Sequence, residues 1–175
     1  MDGIPVWDAI VRLSHWALAT TCVFNFIRDD GDRLHRIVGY VAAGIVVVRL
    51  FWACITHGHG GIAALRLSVS STLIYARQVT RGRAPRHLGH DPLGLWMVWL
   101  VWLLVLMLAL SGWMTRLDMF WGDEGVKTVH AWLADALAIC ILFHVAGVAM
   151  MSWQWRENLA KSMVTGTKRG PDESA

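Results

Sequence analysis

The sequence has few charged residues and few cysteines, and each shortage excludes a class of protein. Of its 175 residues only 17% are charged, whereas 55% are hydrophobic, and the mean hydropathy is +0.45. This composition is too apolar for an ordinary soluble domain, and it excludes a disordered or nucleic-acid-binding protein. Cys22, Cys54 and Cys140 lie inside apolar runs with no Cys-x-x-Cys pair. Neither a disulfide framework nor covalent attachment of a c-type haem is therefore indicated.

Long apolar runs are what the chain does have. A bilayer core of about 30 Å takes about 20 apolar residues per helix, and four runs reach that length, over about residues 7–27, 35–55, 92–114 and 127–153. The charged residues that interrupt the first run argue against a cleaved signal peptide. No strand pattern competes with these helices. The predicted fold is all-α: an integral membrane four-helix bundle over residues 1–155, followed by a tail over residues 156–175 whose end is disordered.

The charges of the connections predict the orientation of the bundle. Nine Lys or Arg fall on one side, in residues 56–91 and in the tail, against five on the other side. The positive-inside rule therefore predicts that both termini are cytoplasmic. Within the long basic connection, apolar residues recur every three or four positions over residues 62–79. This spacing predicts an interfacial amphipathic helix on the inner leaflet.

Histidine is the most informative residue type, because ionisable groups inside a membrane are costly and usually functional. Under the predicted topology His15 and His144 lie about 12 and 13 Å from the inner ends of their helices; we call them the inner pair. His35 and His130 both lie near the outer helix ends, and we call them the outer pair. His130 and His144 are fourteen residues apart, or about 21 Å and within about 40° on one helix. Helix four can thus present one imidazole to each of two stacked sites.

Two imidazoles that face each other across a helix bundle are the usual axial ligands of a six-coordinate b-type haem. We therefore predict two haem b groups, with the inner pair and the outer pair as the axial ligands of the two irons. An iron ligated in this way has no open position for a substrate, which favours electron transfer. As a simpler alternative, His35 and His130 are ordinary amphipathic residues in the wet interface.

Haem propionates need cations, and three arginines are candidates. Arg12 lies one turn on the inner side of His15, and Arg49 faces the inner site, so both are predicted to serve the inner propionates. Arg36 is a less specific candidate for an outer propionate. An ion pair with Asp8, four residues earlier, is the simpler explanation of Arg12.

Other polar residues carry less information. His57 and His59 have no supported role, and His90 is a weak candidate for lining a quinone or headgroup pocket. Small residues beside the ligands, such as Gly39 and Gly147, leave space for a macrocycle. No nucleophilic triad, phosphate loop or paired-carboxylate site is present, so no catalytic residue is predicted.

Five segments together resemble the prokaryotic cytochrome b561 family, which includes the cytochrome b subunits of nickel-iron hydrogenases. They are Val11–Trp16, Leu34–Tyr40, Gly89–Gly94, Val129–Asp135 and Leu142–Gly147. The resemblance implies a four-helix bundle that holds two b haems, with ligands on helices one, two and four and with helix three supplying packing only. It implies the same ligands as the depth argument.

The expected function is transfer of electrons across the bacterial inner membrane, between a quinone pool and a redox partner at the outer face. That partner would be a periplasmic c-type cytochrome or a dehydrogenase or hydrogenase subunit of a respiratory chain. One alternative is a stand-alone superoxide:ubiquinone oxidoreductase, although an electron-transfer subunit is favoured. An alternative of another class is a non-redox metal transporter or membrane anchor that uses His35, His57, His59 and His130. Membrane lipid and quinone are the expected small partners, and a homodimer is a further option.

Overall fold

The protein is described by a computed structural model for residues 3–170, and within that range it is mostly helical. In chain order the helices are α1 (Ala9–Ile27), α2 (Arg33–Ile55), α3 (Val69–Thr80), α4 (Pro92–Met114), α5 (Glu124–Gln154) and α6 (Leu159–Thr165). Four of them, α1, α2, α4 and α5, are long and apolar enough to cross a membrane. The predicted all-α membrane bundle is confirmed. Two short strands, β1 (Ile4–Pro5) and β2 (Thr167–Lys168), and three 3-10 turns complete the described part.

Each spanning helix begins directly after an aspartate that caps it. The four caps are Asp8, Asp32, Asp91 and Asp123. In α1, for example, the carboxylate of Asp8 accepts a hydrogen bond from the backbone N–H of Val11 at 2.8 Å. A carboxylate at this position satisfies a free N–H and interacts favourably with the helix dipole. These caps explain why α1 begins at residue 9 rather than 7, and why α2 and α5 begin before the apolar runs themselves.

The spanning helices pack in the order α1, α2, α4, α5, each against the next, whereas α1 and α5 are hardly in contact. The main apolar core lies where α4 packs between α2 and α5. Val46 is fully buried there, and Trp102 and Leu137 are nearly so. α5 makes similarly few contacts with α2, so among the spanning helices it packs chiefly against α4.

Both ends of the described chain meet at one end of the bundle. β1 pairs antiparallel with β2, with Ile4 opposite Lys168 and Pro5 opposite Thr167. We call this the inner end, after the predicted topology. Thr167 and Lys168 belong to the end of the tail, which was expected to be disordered. They are ordered because their backbone pairs with the start of the chain. Residues 171–175, where the rest of that prediction falls, lie outside the described residues.

The predicted amphipathic helix over residues 62–79 is divided. A 3-10 turn, Ile62–Leu65, precedes α3, and Ser68 caps α3 by accepting a hydrogen bond from the backbone N–H of Ser71. Leu65 is 2% exposed, and its carbonyl accepts a hydrogen bond from Trp99 Nε1 at 2.9 Å. The break lets Leu65 enter the core of the bundle, which a continuous surface helix would not allow.

Candidate functional site

Each histidine pair joins α5 to a spanning helix with which it makes few contacts, α1 for the inner pair and α2 for the outer pair. The ring centres of His15 on α1 and His144 on α5 are 6.2 Å apart. Those of His35 on α2 and His130 on α5 are 6.4 Å apart. A metal–imidazole bond of about 2.0–2.1 Å, plus about 1.1 Å from nitrogen to ring centre, puts the centres of two imidazoles on opposite sides of one metal about 6.3 Å apart. Both pairs therefore have the spacing that a shared metal atom requires.

Hydrogen bonds determine which nitrogen of each outer imidazole carries the proton. His35 Nδ1 is bonded to the backbone carbonyl of Arg28, which can only accept, so this nitrogen is protonated. His130 Nδ1 lies 2.8 Å from Ser111 Oγ, and the Ser111 hydroxyl already donates to the carbonyl of Leu108 at 3.2 Å. The serine oxygen must then accept from His130. In both neutral rings Nε2 is left with a free lone pair, as a metal ligand needs.

A cavity of about 660 Å³ adjoins the outer pair, within the range of roughly 300–1,000 Å³ that is usual for ligand sites. Two of the residues that line this cavity are glycines at which a Cβ would crowd a neighbouring side chain. A Cβ on Gly39 would lie 3.3 Å from Asn25 Nδ2, and a Cβ on Gly112 would lie 3.3 Å from His130 Cε1. The predicted propionate residue Arg36 also lines the cavity, and it donates to the carbonyl of Gly31 at 2.9 Å.

The imidazoles of the inner pair are less constrained than those of the outer pair. His15 Nδ1 is buried and has no hydrogen-bond partner within residues 3–170. On the α5 side, a Cβ on Gly147 would meet nothing within 4 Å. Open space therefore adjoins Gly147, three residues after His144.

Both arginines that were predicted for the inner propionates have unused donors. Arg12 Nη1 donates to the carbonyl of Val164, but its Nε is buried without a partner among the residues described. Arg49 is 5% exposed and donates to the carbonyl of Gly60 at 3.1 Å, while its Nη1 is similarly unpaired in the described part of the chain. Buried guanidinium groups with free N–H groups favour an anionic ligand.

The simpler explanation of Arg12 does not hold within residues 3–170, because no ion pair joins it to Asp8 there. The Asp8 carboxylate instead caps α1 and accepts a hydrogen bond from Trp52 Nε1 at 3.2 Å. The Arg12 side chain turns toward the C-terminal segment.

Sequence reasoning missed the residues that support the outer pair. Helix three of the sequence analysis is α4, for which only packing was implied, yet it supplies Ser111 and Gly112, both directly against His130. Asn25 was also missed, although its Oδ1 is buried without a partner in the part of the chain described. The available signal was a serine in the most apolar helix, at the depth of a predicted ligand.

The histidines proposed for the metal-transport alternative are not gathered in one place. His35 lies at the start of α2 and His57 follows its end, so the helix separates them by about 30 Å. Among residues 3–170 no group of three or more His, Cys, Asp or Glu side chains is placed to hold a metal ion. This geometry gives no support to a transient four-histidine metal site.

His90 lies at the inner end, where its ring centre is 4.7 Å from that of Trp7. Its Nδ1 is buried, with no partner in the described residues. Burial, with smaller contributions from the positive charges of Arg49 and Lys168, lowers the pKa of His90 to about 4. The imidazole is therefore neutral near pH 7 and has a ring nitrogen to offer to another group.

Comparison with known proteins gives one match. The family model described as prokaryotic cytochrome b561 matches residues 6–166, a range that contains all four spanning helices and both histidine pairs. No curated protein and no solved structure matches the chain.

Proposed function

We propose that this chain, which belongs to the prokaryotic cytochrome b561 family, is a di-haem electron carrier between the two faces of the bacterial inner membrane. Membership makes it a multi-pass membrane cytochrome of the b type that acts in electron transfer. The proposal of two haems depends on one observation above all. Two separate histidine pairs have ring-centre distances of 6.2 and 6.4 Å, both close to the value of about 6.3 Å for a shared metal.

The protein groups have defined tasks in this proposal. The inner pair and the outer pair ligate the two irons, and haem b when bound supplies one-electron chemistry without an open coordination position. Ser111 and the carbonyl of Arg28 hold the protons on Nδ1 of the outer imidazoles, which orients Nε2 toward the iron. Arg12 and Arg49 bind the inner propionates, and Arg36 binds an outer one.

The two sites lie one above the other along α5, because fourteen residues separate His130 from His144. That spacing is about 21 Å of helix. One site is thus near each side of the membrane, as a carrier between a quinone pool and an outer-face partner requires. The excess of basic residues at the inner end supports placing both termini in the cytoplasm.

The charged residues that line the outer cavity help to distinguish a small anionic substrate from a protein partner. Arg36, Arg116 and Lys127 line the cavity together with Asp29 and Asp30. This nearly balanced lining attracts a small anion such as superoxide only weakly. A c-type cytochrome or a dehydrogenase subunit that docks at this face is therefore the partner we propose.

The two-haem proposal is tested on the purified full chain. We expect a reduced-minus-oxidised spectrum with a b-type α band and two haems per chain. His144→Ala and His130→Ala should each lose one haem and keep the other. His57→Ala, at a histidine that belongs to neither pair and follows the end of α2, is the matched control and should keep both. Absence of the α band, or loss of both haems in either single variant, would contradict the proposal.

The partner is tested in proteoliposomes that contain a quinol. We expect the wild-type protein to reduce an external c-type cytochrome. The His130→Ala variant should not reduce it. If external superoxide is consumed at a high rate while cytochrome c is not reduced, the chain is instead a stand-alone oxidoreductase.

A further inference from the structure

The C-terminal segment, residues 156–169, is anchored to the inner end of the bundle. The Glu157 carboxylate accepts two hydrogen bonds from the guanidinium of Arg86, at 2.8 and 3.1 Å. The Glu157 side chain is 8% exposed. The same carboxylate also accepts from the backbone N–H of Arg169 at 2.7 Å. A bidentate pair of low exposure is a strong attachment, so the segment has a defined position on the bundle.

From this anchor the segment reaches the turn of α1 that carries one residue of the inner pair. Arg12 donates to the carbonyl of Val164, and Trp16 Nε1 donates to the carbonyl of Met163 at 3.2 Å. Trp16 follows His15 in the sequence, and their rings are in edge contact at 5.2 Å. The segment therefore lies against the turn of α1 that carries His15.

Lys168 is the buried cation of this segment, with 6% exposure. Its ammonium lies over the ring of Trp7 at 5.7 Å and donates to the carbonyl of His87 at 3.1 Å. Within residues 3–170 no carboxylate lies within ion-pair distance of it. Burial lowers the pKa of Lys168. The carboxylates of Glu157 and Asp91 act on Lys168 from beyond ion-pair distance and offset part of the cost of burying its ammonium. Neither pairs with the ammonium directly, so an anion bound beside it would be favourable.

Two further groups with unused nitrogen atoms share this corner. The ring of His90 contacts the Trp7 ring that Lys168 also contacts, and its Nδ1 is unpaired within the described range. Arg49 reaches the same end of the bundle through Gly60, whose carbonyl accepts a hydrogen bond from Arg49 Nη2 at 3.1 Å. A Cβ on Gly60 would lie 3.0 Å from Oδ2 of Asp8, the residue after Trp7. The Nη1 of Arg49 has no partner in the described residues. One corner at the inner end thus contains two cations and an imidazole, and two of their nitrogen atoms, Arg49 Nη1 and His90 Nδ1, have no hydrogen-bond partner in the described residues.

We propose that Lys168, Arg49 and His90 together bind one carboxylate of the group that the inner pair holds, so that the C-terminal segment is part of the inner haem site. This inference rests on the proposed function, since the carboxylate is a haem propionate. A carboxylate has about four lone-pair positions and can accept from all three side chains at once. It would also neutralise the buried charge of Lys168.

The test compares Lys168→Met with Lys161→Met in the purified full chain. Both variants remove one positive charge from the same segment, but Lys161 is exposed on α6 whereas Lys168 is buried. A cation beside the inner haem favours the ferrous state, which carries less positive charge. Its loss should raise the ferric-to-ferrous ratio of the inner haem about tenfold at a fixed potential, which is a midpoint about 59 mV lower. The outer haem and the Lys161→Met variant should be unchanged, and Lys168→Arg should behave like the wild type.

The outcomes separate this inference from the proposed function. If the wild type has no haem, the proposed function fails. If the wild type binds two haems and neither midpoint moves in Lys168→Met, the proposed function stands and the carboxylate site is wrong. Loss of both haems in Lys168→Met would also contradict the inference, since it would make Lys168 a general structural residue. The haem-to-protein ratio, measured on every variant, distinguishes these cases.

Discussion

Replacing Ser111 by alanine tests the support of the outer pair without touching a proposed ligand. The Ser111 hydroxyl lies 2.8 Å from His130 Nδ1 and is the group that keeps the proton on that nitrogen. In Ser111→Ala the N–H of His130 loses the acceptor that lies 2.8 Å away. The ring can then turn, and its Nε2 is no longer directed toward a ligand.

The size of the effect follows from that lost hydrogen bond. A buried donor left unsatisfied costs about 1–3 kcal/mol. Loss of a group that orients a metal-bound histidine typically weakens metal affinity by about 10–100-fold, which is about 1.4–2.7 kcal/mol. The two estimates agree. We therefore expect the outer haem to be held about 10–100-fold less tightly, while the inner haem is unaffected.

The assay is competition for haem with an excess of apomyoglobin, with the haem-to-protein ratio followed on the purified variant. One haem per chain should be lost at a correspondingly lower acceptor concentration. Ser14→Ala is the matched control, because Ser14 adjoins His15 in sequence but its hydroxyl donates to the carbonyl of Val11 at 3.0 Å rather than to an imidazole. Equal retention in both variants, or equal loss of both haems in Ser111→Ala, would refute the reasoning.

Three further predictions concern packing, the tail anchor and pH. Gly112→Ala should weaken the outer haem about fivefold, since the added methyl presses on His130 at a cost of about 1 kcal/mol; Gly44→Ala, with open space around it, should not, and haem competition compares them. Arg86→Met should lower the unfolding free energy by about 3 kcal/mol, because it leaves the Glu157 carboxylate buried without its cation; an unchanged thermal midpoint in detergent would contradict this. Burial would raise the pKa of Glu157, but hydrogen bonds from Arg86 and one backbone N–H lower it overall. The tail should thus stay anchored above about pH 4.3 and detach as the pH falls through the lower folded-state pKa. Pepsin cleavage of residues 156–169 should increase over that range, and a Glu157→Gln variant should show no such transition.

Much of the bundle could be predicted from the sequence, because the length and hydropathy that a membrane span needs can be counted along the chain. Each span needs about 20 apolar residues, so hydropathy alone located α1, α2, α4 and α5. The matching depths of His15 with His144 and of His35 with His130 came from counting residues along helices of known rise. Helix starts were placed less well, because an aspartate cap lies before the apolar run that it begins.

What only the tertiary structure decided depends on contacts between residues far apart in the chain. The bond from Ser111 to His130 joins residues nineteen positions apart on different helices, and the Arg86–Glu157 pair joins residues seventy-one apart. Such contacts depend on how each helix is rotated and on which neighbours it packs against, and hydropathy is nearly the same for many rotations. Local composition predicted disorder at the end of the chain because it carries no information about contacts with distant residues. Residues 167–169 are ordered by contacts with β1, Arg86 and Trp7, which the fold brings to them from distant parts of the chain.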